Sequence, residues 1–123
     1  MTSTNYPNSY PNNLEITETI QVEEGLVLSL QFDAMDMESG AGGCYSDYLI
    51  IEDGDGTTLM DVICGSTNDG DVYIGNYYYG SSMPPLITST SNVVKFHFFT
   101  DYYDSGNSGW SVTWSSAPAG TCQ

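Results

Sequence analysis

Glu38, Asp47 and Asp101 each stand at the end of a run that reads as a β-strand. Glu38 closes the run from Leu26 to Phe32 with its short tail Met35-Asp36-Met37. Asp47 opens Tyr48-Leu49-Ile50-Ile51, and Asp101 follows the run from Val93 to Thr100. Carboxylates at strand ends, bordered by Gly- and Ser-rich loops, converge when the strands are stacked into a β-sandwich. Oxygen ligands gathered in this way suit calcium, which takes six to eight oxygens at about 2.3–2.6 Å. Other arrangements carry less chemistry. Asp53 and Asp55 have the opening spacing of an EF-hand loop, but Thr58 stands where that loop needs Gly and no Glu falls at its last position. His97, the single histidine, lies in mid-strand and far from any serine-based motif. Paired carboxylates also serve glycoside hydrolysis, yet no groove or acid tuning is readable beside these, and no enzymatic activity is expected.

The elements that must hold these acids alternate with period two. Ile16, Ile20 and Val22 fall on one side of a strand, with Thr17, Thr19 and Gln21 opposite. Leu26, Leu28, Leu30 and Phe32 alternate with Val27, Ser29, Gln31 and Asp33. Tyr48 to Glu52 is a strand followed by the turn Asp53-Gly54-Asp55-Gly56. Asp71 to Ile74 and Tyr77 to Tyr79 form a hairpin about Gly75-Asn76. Val94, Phe96 and Phe98 share one face of a long strand, with Lys95 and His97 on the other. Trp110, Val112 and Trp114 alternate in the last strand. No helical periodicity is convincing. Many short strands in a chain of this length predict an all-β fold, an antiparallel β-sandwich.

At 123 residues the chain is long enough for one domain with an ordinary core. One Lys, no Arg and sixteen acids give a formal charge of −15. That excludes nucleic acid as a partner, because phosphate binding needs a basic face, and it argues against anionic membrane surfaces. Self-repulsion of this size opposes compaction, and bound cations relieve it. No apolar run of transmembrane length is present, so no membrane insertion is expected. Three cysteines leave one over. Cys44 and Cys64 could close a loop worth roughly 3 kcal/mol in the chain-entropy model. Cys122 lies in a segment, residues 117–123, that reads as a tail or linker. Tyr73, Tyr77, Tyr78 and Tyr79 offer large amphipathic contact area at low entropic cost, a candidate ligand-binding surface.

Over about residues 6 to 116 the chain resembles the CUB domain family of extracellular β-sandwich modules with jelly-roll-like topology. The resemblance rests on Tyr6-Pro7 and Tyr10-Pro11-Asn12, then Leu28, Leu30 and Phe32 leading to Met35-Asp36-Met37-Glu38. It continues through Cys44-Tyr45-Ser46-Asp47-Tyr48-Leu49-Ile50-Ile51 with Asp53-Gly54, Pro84-Pro85, Ser89-Thr90-Ser91-Asn92, Phe96, Thr100-Asp101 and Gly109-Trp110. It implies one Ca2+ ion held by Glu38, Asp47 and Asp101, with backbone carbonyls of Tyr103 and Asp104 completing the shell. Tyr10 resembles a family tyrosine that hydrogen-bonds to the acidic cluster. The family's first disulfide is missing, since Ile16 stands where its second cysteine would be. Cys44 matches the third cysteine. Its partner is either Cys64, which is preferred because no core cysteine is then unpaired, or a place taken here by Tyr79.

The resemblance implies a non-enzymatic, calcium-dependent recognition or adhesion module, secreted or at the cell surface, within a larger multidomain exported protein. Its partner would be an extracellular protein that presents Lys or Arg to the acidic end. A glycan bound by the tyrosine-rich hairpin, or an accessory role beside an exported protease, are the competing expectations.

Overall fold

The computed structural model describes residues 1–39, 43–75, 77–102 and 106–119. Among these, nine strands form two antiparallel sheets: β1 (Glu15–Gln21), β2 (Leu26–Asp36), β3 (Tyr48–Asp53), β4 (Thr58–Cys64), β5 (Val72–Ile74), β6 (Tyr77–Gly80), β7 (Ile87–Thr88), β8 (Val93–Phe99) and β9 (Gly109–Pro118). The larger sheet runs β1-β8-β3-β4-β5-β6 and the smaller runs β7-β2-β9.

Leu28, Leu30 and Phe32 from β2 and Trp110 and Val112 from β9 face Leu49, Ile51, Val94, Phe96 and Phe98 of the larger sheet, and all are buried. The Trp110 ring stacks on Phe96 at 5.4 Å between centroids and meets Phe98 edge-on at 6.0 Å. Such aromatic pairs add about 0.5–1.5 kcal/mol each beyond the area they bury. Packing holds β1: Ile20 is buried and Ile16 packs against the core.

The strand β2 is not regular, and its irregularity decides where Glu38 stands. Pairing with β9 slips between Phe32 and Ala34, so Asp33 is an extra, bulged residue. Unbroken alternation after Phe32 would have turned Ala34 and Asp36 inward. The bulge instead turns in Met35 and, beyond the strand, Met37, both 1% exposed. Asp36 and Glu38 are thereby left to the opposite side, half-buried at the rim.

Paired backbone extends past the span 6–116. Ala117 and Pro118, expected as a tail, continue β9 opposite Val27 and Leu26, and the Ala119 N–H donates to the Gly25 carbonyl at 2.8 Å. At the other end Thr2 bridges Ser111, and Ser3 exchanges bonds with Trp110: its N–H donates to the Trp110 carbonyl at 2.9 Å and its Oγ accepts the Trp110 N–H at 3.0 Å. Trp114 keeps the alternation of β9 with Trp110 and Val112 but, unlike them, is 41% exposed. Cys122 lies outside the described residues.

Candidate metal centre

The segment Tyr6–Asn13 crosses one end of the sandwich and is fastened on both sides of Asp101. The Asn13 N–H donates to the Asp101 carbonyl at 2.7 Å, and Thr100 donates its hydroxyl to the Pro11 carbonyl at 2.9 Å while accepting the Leu14 N–H at 2.8 Å. This brings Tyr10 into the core, where its ring meets Phe98 edge-on at 5.1 Å. Its hydroxyl accepts the Glu38 N–H at 3.1 Å and donates to Asp47 Oδ2. The other oxygen of Asp47 accepts the Asp101 N–H at 2.9 Å. One buried carboxylate therefore holds together the three chain segments that carry the acids.

Glu38, Asp47 and Asp101 each offer an oxygen within 4.8 Å of the others. Two ligands on one calcium at about 2.4 Å can stand no more than about 4.8 Å apart, so these oxygens are spaced to share one ion. Burial pushes the carboxyl of Glu38 above the ordinary range, and the charges of Asp101 and Asp47 push it further. Burial also raises Asp47, against the opposing pull of the hydroxyl of Tyr10 and the N–H of Asp101. The one Lys of the chain, Lys95, stands in mid-strand opposite Glu52. Three carboxylates at this range favour a cation or a proton, and hard oxygens favour calcium among cations. Tyr103 and Asp104 lie outside the described residues.

Asp36 was not singled out by its sequence. Burial works against its ionised form, but bonds from the Ser108 N–H, the Asn107 amide, the Ser108 hydroxyl and Ser66 outweigh this and hold its carboxyl below the ordinary range. Asn107 Nδ2 lies 2.7 Å from Asp36 Oδ1, and the Ser108 N–H lies 2.8 Å from Oδ2. Asp36 thus anchors the return of the loop that leaves Asp101. An acid between Met35 and Met37 is the signal that could have pointed to it. Nearby, Tyr45 and Tyr102 are 74% and 82% exposed beside Asp47 and Asp101 in sequence.

A disulfide joins Cys44 to Cys64, with Cα atoms 5.5 Å apart. Tyr79 stands on the edge strand β6. The tyrosines of the hairpin belong to this edge rather than to the acidic cluster. Tyr73 is half-buried with its ring 5.3 Å from that of Tyr78, whose hydroxyl donates to the Gly70 carbonyl at 2.5 Å. Tyr77 and Tyr78 are 75% and 65% exposed. His97 is held by neighbours on both sides, with Nε2 2.7 Å from Glu52 Oε1 and Nδ1 2.9 Å from Thr17 Oγ1.

Comparison with known proteins agrees with this architecture. The CUB domain profile matches residues 1–77. Human cubilin is 33% identical over 121 residues, covering 97% of the chain and 3% of cubilin. Mouse mannan-binding lectin serine protease 1 is 32% identical over 120 residues, covering 95% of the chain and 14% of that protein. The chain thus spans a small part of the relatives it matches. The crystal structure of the MASP-1 CUB2 domain bound to Ca2+ superposes with a TM-score of 0.66 at 30% identity, covering 93% of this chain and 88% of that one. A profile match over more than half the chain, these relatives and the superposition of the two-sheet fold place the protein in the CUB domain family.

Proposed function

We propose that this domain is a calcium-dependent recognition module of a secreted or cell-surface multidomain protein, without catalytic activity of its own. Calcium held by Glu38, Asp47 and Asp101 orders one end of the sandwich. The carboxylate oxygens left on the solvent side then receive a Lys or Arg of a protein partner. The observation that carries this reading is the convergence of the three carboxylates, oxygens within 4.8 Å, in a chain of net charge −15. Support comes from the relative solved with Ca2+ and from the larger proteins in which related domains occur. The backbone carbonyls of Tyr103 and Asp104 are the proposed remaining ligands.

The test is binding of a lysine-bearing peptide or protein with calcium and with chelator. Binding that needs calcium, weakens steeply with salt and is lost when the lysines are acetylated supports the reading, since charges at an exposed rim are screened over about 8 Å at physiological ionic strength. A second reading is favoured by one observation, the open display of Tyr77 and Tyr78 at a sheet edge. There a neutral sugar would stack on the rings with little salt dependence. Salt-insensitive binding of a neutral glycan, abolished by Tyr78→Ala and untouched by chelator, would replace the first reading with the second.

A further inference from the structure

Beside the acidic end the outer face of the larger sheet carries Tyr48, Ile50 and Phe99 among the polar Glu15, Thr17 and His97, where a solvated sheet face would be polar throughout. Tyr48 and Phe99 are cross-strand partners whose rings stack at 4.9 Å, and Ile50 follows on β3 opposite His97. All three are half-buried. A cleft of about 360 Å³ opens beside Asp101, lined by Leu14, Glu15, Phe99 and Tyr102 among others. A second, of about 150 Å³, lies over Tyr48, Ile50 and His97. Both clefts are lined by Glu15 and Phe99, so they adjoin, and together they outline a groove. It starts at a carboxylate of the candidate metal centre and runs back along β8 over the sheet.

We propose that this groove is the docking track for an extended segment of a protein partner, in which a Lys or Arg and a bulky apolar side chain stand two residues apart. The inference rests on the recognition mode proposed above and names the partner's second anchor. Charge points to the first anchor: Glu15 and Asp101 line the groove and no cationic Lys or Arg does. The aromatic floor points to the second. In an extended chain, side chains two apart share a face at about 6.6 Å, and Asp101 and Phe99 are themselves two residues apart where β8 ends. A cation on the acidic end therefore sets the side chain two residues away over Phe99 and Tyr48. A second copy of this chain is a poor occupant, since it brings another −15 of charge.

The experiment is an amide chemical-shift titration of the calcium-loaded domain with two capped peptides, Gly-Lys-Gly-Gly and Gly-Lys-Gly-Leu. The Leu peptide should bind about tenfold tighter, the size expected for half-burying a leucine side chain, and should shift the amides of Ile50 and Phe99. Phe99→Thr and Ile50→Thr should erase the preference, with the calcium-induced rise in melting temperature reporting that each variant is folded. Equal binding of the two peptides, or a preference that survives both variants, overturns the groove and leaves the acidic end standing. A Leu preference that persists in chelator and in Asp47→Asn keeps the groove and overturns the calcium-dependent reading. Binding of neither peptide overturns both.

Discussion

Replacing Glu38 by Gln should move stability in opposite directions with and without calcium. In the metal-free protein, Glu38 is crowded by burial and then by Asp101 and Asp47, which raises its pKa in the fold. A raised folded-state pKa means that its favourable contribution is complete below the unfolded value and lost as pH rises through the folded one. At pH 7 the ionised side chain therefore opposes folding. Two like charges about 4.8 Å apart repel by about 1 kcal/mol even in a water-like dielectric, less as an exposed side chain swings away. The metal-free variant should match or exceed the parent by up to a few degrees. With calcium at a hundredfold excess over its dissociation constant, linkage stabilises the parent by about 2.7 kcal/mol. For a domain of 123 residues this raises the melting temperature by about 10 °C. If loss of one carboxylate weakens binding a hundredfold, the same calcium gives only about 0.4 kcal/mol. Thermal unfolding at pH 7 in chelator, in calcium and in magnesium should thus show the two variants exchanging rank. An equal calcium shift in parent and Glu38→Gln, or a variant several degrees less stable in chelator, would refute the shared-ion geometry.

Protons should compete with calcium, because Glu38 and Asp47 are both raised. Calorimetric titration should give weaker binding at pH 5 than at pH 7. Asp53 behaves oppositely: burial would raise it, but bonds from Ser91, Thr90 and Gly54 hold it down at about 2. Its contribution, about 2 kcal/mol by linkage, is complete above pH 4 and lost as pH falls toward 2; Asp53→Asn should lose it at pH 7 and flatten that acid limb in urea titrations. Reducing the Cys44–Cys64 bridge, or Cys64→Ser with Cys44→Ser, should cost about 3 kcal/mol, read as a lower urea midpoint. Gly65→Ala should cost more than about 2 kcal/mol, since φ there is +94° and a Cβ would lie 2.1 Å from the Asp71 carbonyl oxygen, a backbone atom; an unchanged melting temperature would contradict this packing.

The inward faces of β2, β3 and β8 were legible because Leu28, Leu30 and Phe32, then Leu49 and Ile51, then Val94, Phe96 and Phe98 repeat at the period of a half-buried strand. The three carboxylates were legible because each stands where such a run ends. Asp33 was different. Nothing local marks it as a bulge, since a bulge is a relation between β2 and β9, yet it is what swings Glu38 to the rim. Trp114 keeps the alternation of Trp110 and Val112 on β9 and is nevertheless 41% exposed, so period alone did not give its burial. Ala117 and Pro118 lacked strand character in their composition and gained it from pairing with Val27 and Leu26.

By itself the sequence determined the class of fold, the net charge and which acids stand at strand ends, because composition, period and residue type are local properties. Only the tertiary structure decided that Tyr10 and Asp47 tie three distant segments into one centre, that Asp36 anchors the loop beyond Asp101, and that Tyr48, Ile50 and Phe99 form a groove leading from it. Those are contacts between residues far apart in the chain, set by strand order and register, which no single stretch of sequence encodes.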